Sequence, residues 1–326
     1  MNRKNIWHRR DSAITPEEAW VNRRQVLAGL AAAGLLPSSI LDRALPLKAS
    51  FRQDPQDEDG PKLFRAPEGT FPATRNKSYA VDERPLTDEK AATSYNNFYE
   101  FSLNKRMVQF KVNKFQTAPW KVEIAGLVEK PGIADLEDFF KHLRSEERIY
   151  RFRCVEAWSM TVPWTGFPMK KFLEWVAPTK DARYVQMFTA YRPDEMPDAV
   201  RTGYEFPYYE ALSLAEAGNE LSLLAHGLYG KELPRQNGAP LRLVTPWKYG
   251  LKSIKSVVKF EFTKEKPPTF WNNAQPKEYS WHSNVEPNVP HPRWSQAEER
   301  LIPGGEKVKT LPYNGYADLV AKLYEK

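Results

Sequence analysis

The chain has 326 residues, with 48 Lys or Arg against 41 Asp or Glu, a net charge of +7, and 13% aromatic residues. That length suits one large or two ordinary domains, and the apolar and aromatic content excludes a disordered or fibrous chain. A single cysteine, Cys154, excludes an intramolecular disulfide framework, and the chain alone lacks the cysteines for an iron–sulfur cluster or an attached haem.

Residues 1–44 read as an export signal. Arg23-Arg24 stands directly before the modestly apolar stretch from Val26 to Leu36, the arrangement of the twin-arginine route, with cleavage expected after Ala44 or Ala49. The apolar stretch is far shorter than the ~20 residues of a spanning helix. Removal through Ala44 takes away seven basic and four acidic residues and lowers the net charge to +4. Residues 45–94 are polar and proline-rich and read as an extended arm lying over the fold. Residues 95–326 form the main domain, ending in an irregular extension broken by Pro267-Pro268, Pro276, Pro287, Pro290 and Pro292.

Within that domain, Val108, Phe110 and Val112 alternate with polar residues, as do Trp120, Val122 and Ile124, which predicts two half-buried strands. Leu136, Phe139, Phe140 and Leu143 recur at helical spacing, and a second short helix is expected over 170–176. Further strands are expected over 184–191, 221–224, 241–245 and 258–262, and a terminal helix over 316–324. The reading is α+β, with mixed sheets, short helices and long loops, lacking the regular strand–helix succession of a doubly wound sheet.

Cys154 follows a strand-like run and precedes a stretch, up to Pro163-Trp164-Thr165-Gly166, that reads as irregular. It is either a buried structural thiol or a thiolate, which Arg151 and Arg153 would stabilise and which would serve as nucleophile or soft-metal ligand. In an oxidising compartment a metal-capped thiolate is the more coherent state. The histidines form neither an HExxH pair nor a zinc spacing. His226 and His291 read as structural residues, with contact to an anion or substrate as the alternative, and a Cys–His hydrolase stays open without a nominated histidine. From Asn237 to Lys255, Gly238 and Gly250 permit close backbone approach, while Arg242, Lys248, Lys252 and Lys255 offer charge to an anion; a solvated basic face is the alternative. Trp247 and Tyr249 among these lysines raise a weaker nucleic-acid reading, set aside because Pro-Trp pairs recur along the chain as loop anchors.

Several segments together carry a resemblance: the Tyr95-Asn96-Asn97-Phe98-Tyr99-Glu100-Phe101 run, Glu146-Glu147-Arg148-Ile149-Tyr150 with Arg151 to Met160, Gln236-Asn237-Gly238-Ala239-Pro240, Pro246 to Gly250, and His291-Pro292-Arg293-Trp294-Ser295-Gln296-Ala297. The chain resembles the periplasmic, molybdenum-dependent protein-methionine-sulfoxide reductases, enzymes of sulfite-oxidase fold, over the signal and nearly all of 95–324. The resemblance implies that Cys154 is the protein ligand of a molybdenum that takes two more sulfurs from one molybdopterin. It places Asn96, Tyr99, Glu100, Thr189, Asn237, Arg242, Ser253, Ile254 and Lys255 around that cofactor. Related chains often carry glycine where Ser253 stands, so its side chain must turn away from the pterin phosphate or add a contact. The implied reaction restores methionine from its sulfoxide, free or in oxidised periplasmic proteins. Electrons are expected from a haem-containing membrane subunit that oxidises quinol, and the catalytic subunit is expected to be a monomer. Another small sulfoxide, an N-oxide or sulfite is the alternative substrate on the same fold, and a non-catalytic binding protein with a merely buried Cys154 is the alternative of another class.

Overall fold

A computed structural model describes residues 60–81 and 83–325. The expected export signal lies outside the described residues. Phe64 is inserted into the core, and Asn76 donates its N–H to the Glu147 carbonyl at 2.8 Å, so the described part of the proline-rich arm is stitched to the domain. The arm ends in helix α1 (Glu89–Ser94), whose first turn is capped by the Asp88 carboxylate accepting from Ala91 N.

The expected strand over 108–112 is instead a helical turn, α2 (Val108–Lys111). Val108 and Val112 are four residues apart and both are buried, while Phe110 is 57% exposed. Three alternating residues fit one turn of helix as well as a strand, and the Val112 N–H to Val108 carbonyl bond shows which geometry holds.

Two sheets carry the remaining order. The first has strands β1 (Lys121–Gly126), β2 (Gly132–Asp135), β5 (Tyr184–Thr189), β6 (Tyr209–Ser213) and β10 (Val257–Thr263), arranged β2-β1-β10-β5-β6, with β1 and β10 parallel. Helix α3 (Leu136–His142) turns Leu136 and Phe139 into the core, as their spacing predicts, and α4 (Met169–Val176) adds Phe172 and Val176. The second sheet is built on β3 (Glu146–Arg153) and β4 (Trp158–Pro168), paired antiparallel from Glu146↔Gly166 to Arg153↔Ser159. The stretch after Cys154 is therefore not irregular. Its prolines and tryptophans occupy an 11-residue strand buried on both faces. Strands β7 (Leu223–Leu228), β8 (Lys231–Glu232), β9 (Arg242–Val244), β11 (Glu298–Leu301) and β12 (Lys307–Lys309) complete this sheet. Short helices α5 (Leu214–Ala217), α6 (Phe270–Ala274) and α7 (Ala317–Val320) lie in the connections, α7 being far shorter than the terminal helix expected over 316–324.

Two side chains expected to offer charge outward are inside. Lys248 Nζ lies 2.6 Å from Glu216 and Lys252 Nζ lies 2.7 Å from Glu210, all four side chains being at most 1% exposed. Burial of an unpaired ammonium is prohibitive, so these lysines are matched structural charges and not an anion-binding or solvated face. Trp247 is equally buried, and its Nε1 donates to Tyr324 Oη at 2.8 Å. The side chains that a nucleic-acid stacking platform needs on the surface are thus interior.

Candidate active site

The β3–β4 turn presents Cys154. Its N–H bonds the Trp158 carbonyl at 2.9 Å, Ala157 N–H bonds the Cys154 carbonyl at 3.1 Å, and Ala157 takes a left-handed φ of 62° that reverses the chain. Arg153 favours the thiolate by its charge, as expected, but its hydrogen bonds go elsewhere. Its guanidinium pairs with Glu299 at 2.9 Å, holds Gln296 and grips the Cys154 carbonyl, so it fixes the turn's backbone. Arg151 is likewise taken, by Glu83 and the Asn314 carbonyl.

All ten residues nominated from the sequence line one open cavity of about 1120 Å³: Asn96, Tyr99, Glu100, Cys154, Thr189, Asn237, Arg242, Ser253, Ile254 and Lys255. They come from five separated stretches of chain, at 96–100, 154, 189, 237–242 and 253–255. The last turn of α1 joins the stretches that hold Asn96 and Asn237. Its Ala92 carbonyl accepts from Asn96 Nδ2 at 3.4 Å and from Asn237 Nδ2 at 3.0 Å, using a helix-end acceptor that has no partner within the helix. Each asparagine is left with a buried Oδ1 that has no hydrogen-bond partner among the described residues.

The 253–255 segment is held by its carbonyls. Arg242 Nη2 donates to Ser253 O at 2.9 Å, Leu243 N to Ile254 O at 2.9 Å, and Thr189 Oγ1 to Lys255 O at 2.9 Å. The N–H groups of Ile254 and Lys255 have no acceptor among the described residues. Ser253 turns its hydroxyl away from the cavity, where it accepts from Thr245 N at 3.1 Å. Gly238, at φ +100°, packs so closely on the segment that a Cβ there would sit 2.7 Å from Lys255 Cβ.

Charge in this cradle is unbalanced. Arg242 is 2% exposed and bonds only carbonyls, with its guanidinium carbon 4.9 Å from the centre of the Trp164 ring. Among the described residues, no carboxylate lies within ion-pair distance of Arg242 or Lys255. Burial disfavours the Arg242 charge, and burial together with Arg242 pushes the Lys255 pKa down, Glu100 opposing. Burial pushes the Glu100 carboxyl up. Two poorly compensated cations, two orphaned amide oxygens and two open N–H groups fit an anionic, polar, ring-bearing ligand such as a pterin phosphate.

Around the sulfur stand residues that were not nominated. Asn97 Nδ2 lies 3.3 Å from Cys154 Sγ and 3.3 Å from Glu156 Oε2; Glu156 N donates to Sγ at 3.4 Å. Lys105 closes an ion pair on Glu156 at 3.0 Å. Burial pushes the Cys154 thiol up to about 12, with Glu156 adding to the effect and Lys105 and Arg153 opposing it. A bare thiol so shifted is a poor nucleophile, and no histidine lines the cavity, which removes the support for a Cys–His hydrolase. His226 is buried among Phe71, Phe140 and Phe167 and bonds Ser145; His291 stacks 3.7 Å from Trp294 behind Tyr279. Neither lines this cavity, which leaves a substrate contact there without support. Tyr208, Trp271 and Tyr279 complete the cavity wall, Trp271 lying 5.1 Å from Tyr279 and 5.8 Å from Tyr99. Asn97 and Glu156 sit inside the motifs that carried the resemblance, whereas Trp271 and Tyr279 have no local signal.

Residues 109–271 match the family described as oxidoreductase molybdopterin binding domain. The chain is 45% identical over 319 residues, covering 96% of it and 94% of the relative, to the protein-methionine-sulfoxide reductase catalytic subunit MsrP of Xanthomonas axonopodis pv. citri (strain 306). Among solved structures, the sulfane dehydrogenase SoxCD from Paracoccus pantotrophus aligns with a TM-score of 0.43 at 14% identity, over 84% of this chain and 66% of that one.

Proposed function

The chain belongs to the molybdopterin-binding oxidoreductases and, within them, to the protein-methionine-sulfoxide reductase catalytic subunits, and from that premise we propose that it reduces methionine sulfoxide, free and within proteins, at the Cys154 cavity. The observation that carries the reading is the convergence of Cys154 with the unbalanced cationic cradle of Arg242 and Lys255 in one cavity.

When bound, the molybdopterin group supplies the two-electron chemistry that converts a sulfoxide to a thioether. Cys154 would give the metal its protein thiolate, losing on ligation the proton that burial otherwise keeps on this thiol. Arg242, Lys255 and the N–H groups of Ile254 and Lys255 receive the phosphate. Thr189 acts from behind by fixing the Lys255 carbonyl. Asn96 and Asn237 offer acceptors to the ring's N–H groups, while Tyr99 and Glu100 close the wall beside them. Ser253 contributes its backbone, its hydroxyl being held by Thr245. Asn97 and Glu156 orient the sulfur, and the aromatic wall admits an apolar thioether side chain while excluding water.

One pterin per metal, export through the twin-arginine route to the periplasm, and electron supply by a haem-containing, quinol-oxidising membrane subunit complete the proposal. No helix among the described residues is long and apolar enough to cross a membrane. The test is molybdenum content and reduced-dye oxidation on one purified sample. Stoichiometric molybdenum with turnover that depends on methionine sulfoxide supports the reading; molybdenum with turnover on sulfite or N-oxides alone replaces the substrate.

A further inference from the structure

The segment leading into α2 has two unlike faces. Inward, Val108 is fully buried and Lys105 reaches the Glu156 carboxylate beside Cys154, while the Lys105 carbonyl accepts from Asn96 N at 3.1 Å. Outward, Leu103, Met107 and Phe110 are 51%, 41% and 57% exposed. Met107 and Phe110 lie three residues apart on a backbone wound by the Met107 N to Asn104 O and Phe110 N to Met107 O bonds, and Leu103 is exposed in the bend just before that turn, so that the three make one short apolar stripe of chain. Exposed large apolar side chains are ordinary one at a time, but three so close together in the chain beside a cavity mark an interaction surface. The surrounding stretch, residues 101–122, contains no acidic residue; of its basic residues Lys105, Lys111 and Lys121 pair with Glu156, Asp198 and Asp135, and Arg106 and Lys114 stand outside these pairs.

We infer that the Leu103–Met107–Phe110 stripe is the docking surface for the polypeptide that carries the methionine sulfoxide, and that it favours clients with apolar and acidic side chains flanking that residue. The inference rests on the function proposed above. Lys105 and Glu156 keep 20% and 30% of their side-chain exposure, so the mouth of the cavity opens where this segment passes. Arg106 reaches the ring of Tyr95, another lining residue, at 5.6 Å. A sulfoxide entering from a chain lays its neighbours on the rim, where the apolar stripe buries them and Arg106 and Lys114 meet acidic ones. A free amino acid spans no part of this surface.

The test compares the holoenzyme with its Leu103→Ser/Met107→Ser/Phe110→Ser variant, using a reduced dye as donor. Two substrates are compared: an unfolded oxidised peptide with leucine and glutamate flanking methionine sulfoxide, and N-acetyl-methionine sulfoxide. The variant is expected to raise KM for the peptide roughly tenfold at unchanged kcat, the size that loss of a few half-buried apolar contacts implies, and to leave the small substrate unaffected. Anisotropy of the labelled peptide on resting enzyme should show the same loss of affinity without turnover. Unchanged peptide affinity overturns the inference, as does an equal loss on the small substrate. So does unchanged peptide affinity coupled with lost binding to vesicles of anionic phospholipid, which reassigns the stripe to a membrane. If the wild type reduces no sulfoxide, the proposed function fails, and the stripe is then judged on the anisotropy alone.

Discussion

Arg242 donates through Nη2 to the Ser253 carbonyl at 2.9 Å, and through Nη1 to the Asn237 carbonyl at 2.7 Å. One buried guanidinium thus ties together the two loops that form the cradle, and Gly238 lies between them.

Gly238 is where that assembly is tightest. Gly238→Ala places a Cβ against Lys255 Cβ and Cγ and forces a left-handed φ on alanine. The expected cost is about 1–3 kcal/mol in urea unfolding, together with molybdenum content well below that of the wild type, read by metal analysis.

The hydroxyl of Ser253 separates structure from cofactor binding. Ser253→Ala leaves the buried Thr245 N–H without its acceptor, for a loss of about 1–2 kcal/mol in stability. Molybdenum content should be retained in the folded variant. Loss of cofactor at full stability would instead mean that the hydroxyl reaches the phosphate.

Lys248 is predicted to matter for folding and not for anion binding. Lys248→Met strands the Glu216 carboxylate, which also caps α5 by accepting from Ser213 N, and should cost about 3–5 kcal/mol. Adding Glu216→Gln should restore part of this in the double variant, measured by chemical denaturation. Two equal and additive losses would show that the pair is not coupled.

Acid sensitivity should depend on His226. Burial pushes its pKa down to about 3, so the folded chain keeps it neutral while the unfolded chain protonates it near its ordinary value of 6.5. Its contribution is complete above pH 6.5 and is lost as pH falls from there toward 3, at up to about 1.4 kcal/mol per pH unit. His226→Phe, surrounded by three phenylalanine rings, should flatten the unfolding free energy across that window. An unchanged slope would place the acid sensitivity elsewhere.

How much of this was visible in the sequence depended on how local each determinant is. Helix α3 and strands β1, β5, β9 and β10 follow periodicities carried within a few residues. The alternation of Val108, Phe110 and Val112 did not distinguish strand from helix, because Val108 and Val112 also share a helical face. Lys248 and Lys252 looked available for an anion because their carboxylate partners, Glu216 and Glu210, lie 32 and 42 residues away in the sequence. Cys154 and the nine other expected residues meet in one cavity; Asn96, Tyr99, Glu100, Cys154 and Asn237 stand in contiguous motifs, whereas Thr189, Arg242 and the 253–255 segment stand outside them and came from the family resemblance. The aromatic wall is assembled from loops after β5 and β10, and nothing near Trp271 or Tyr279 announces it.

The most direct test of the site is X-ray absorption at the molybdenum edge of the wild-type protein and of Cys154→Ser. With Cys154 as ligand beside one pterin, the wild type should show three sulfur neighbours and the variant two, in whatever fraction of it retains metal. The same sulfur count in both proteins would contradict the assignment of Cys154, and with it the account of how this cavity holds its cofactor.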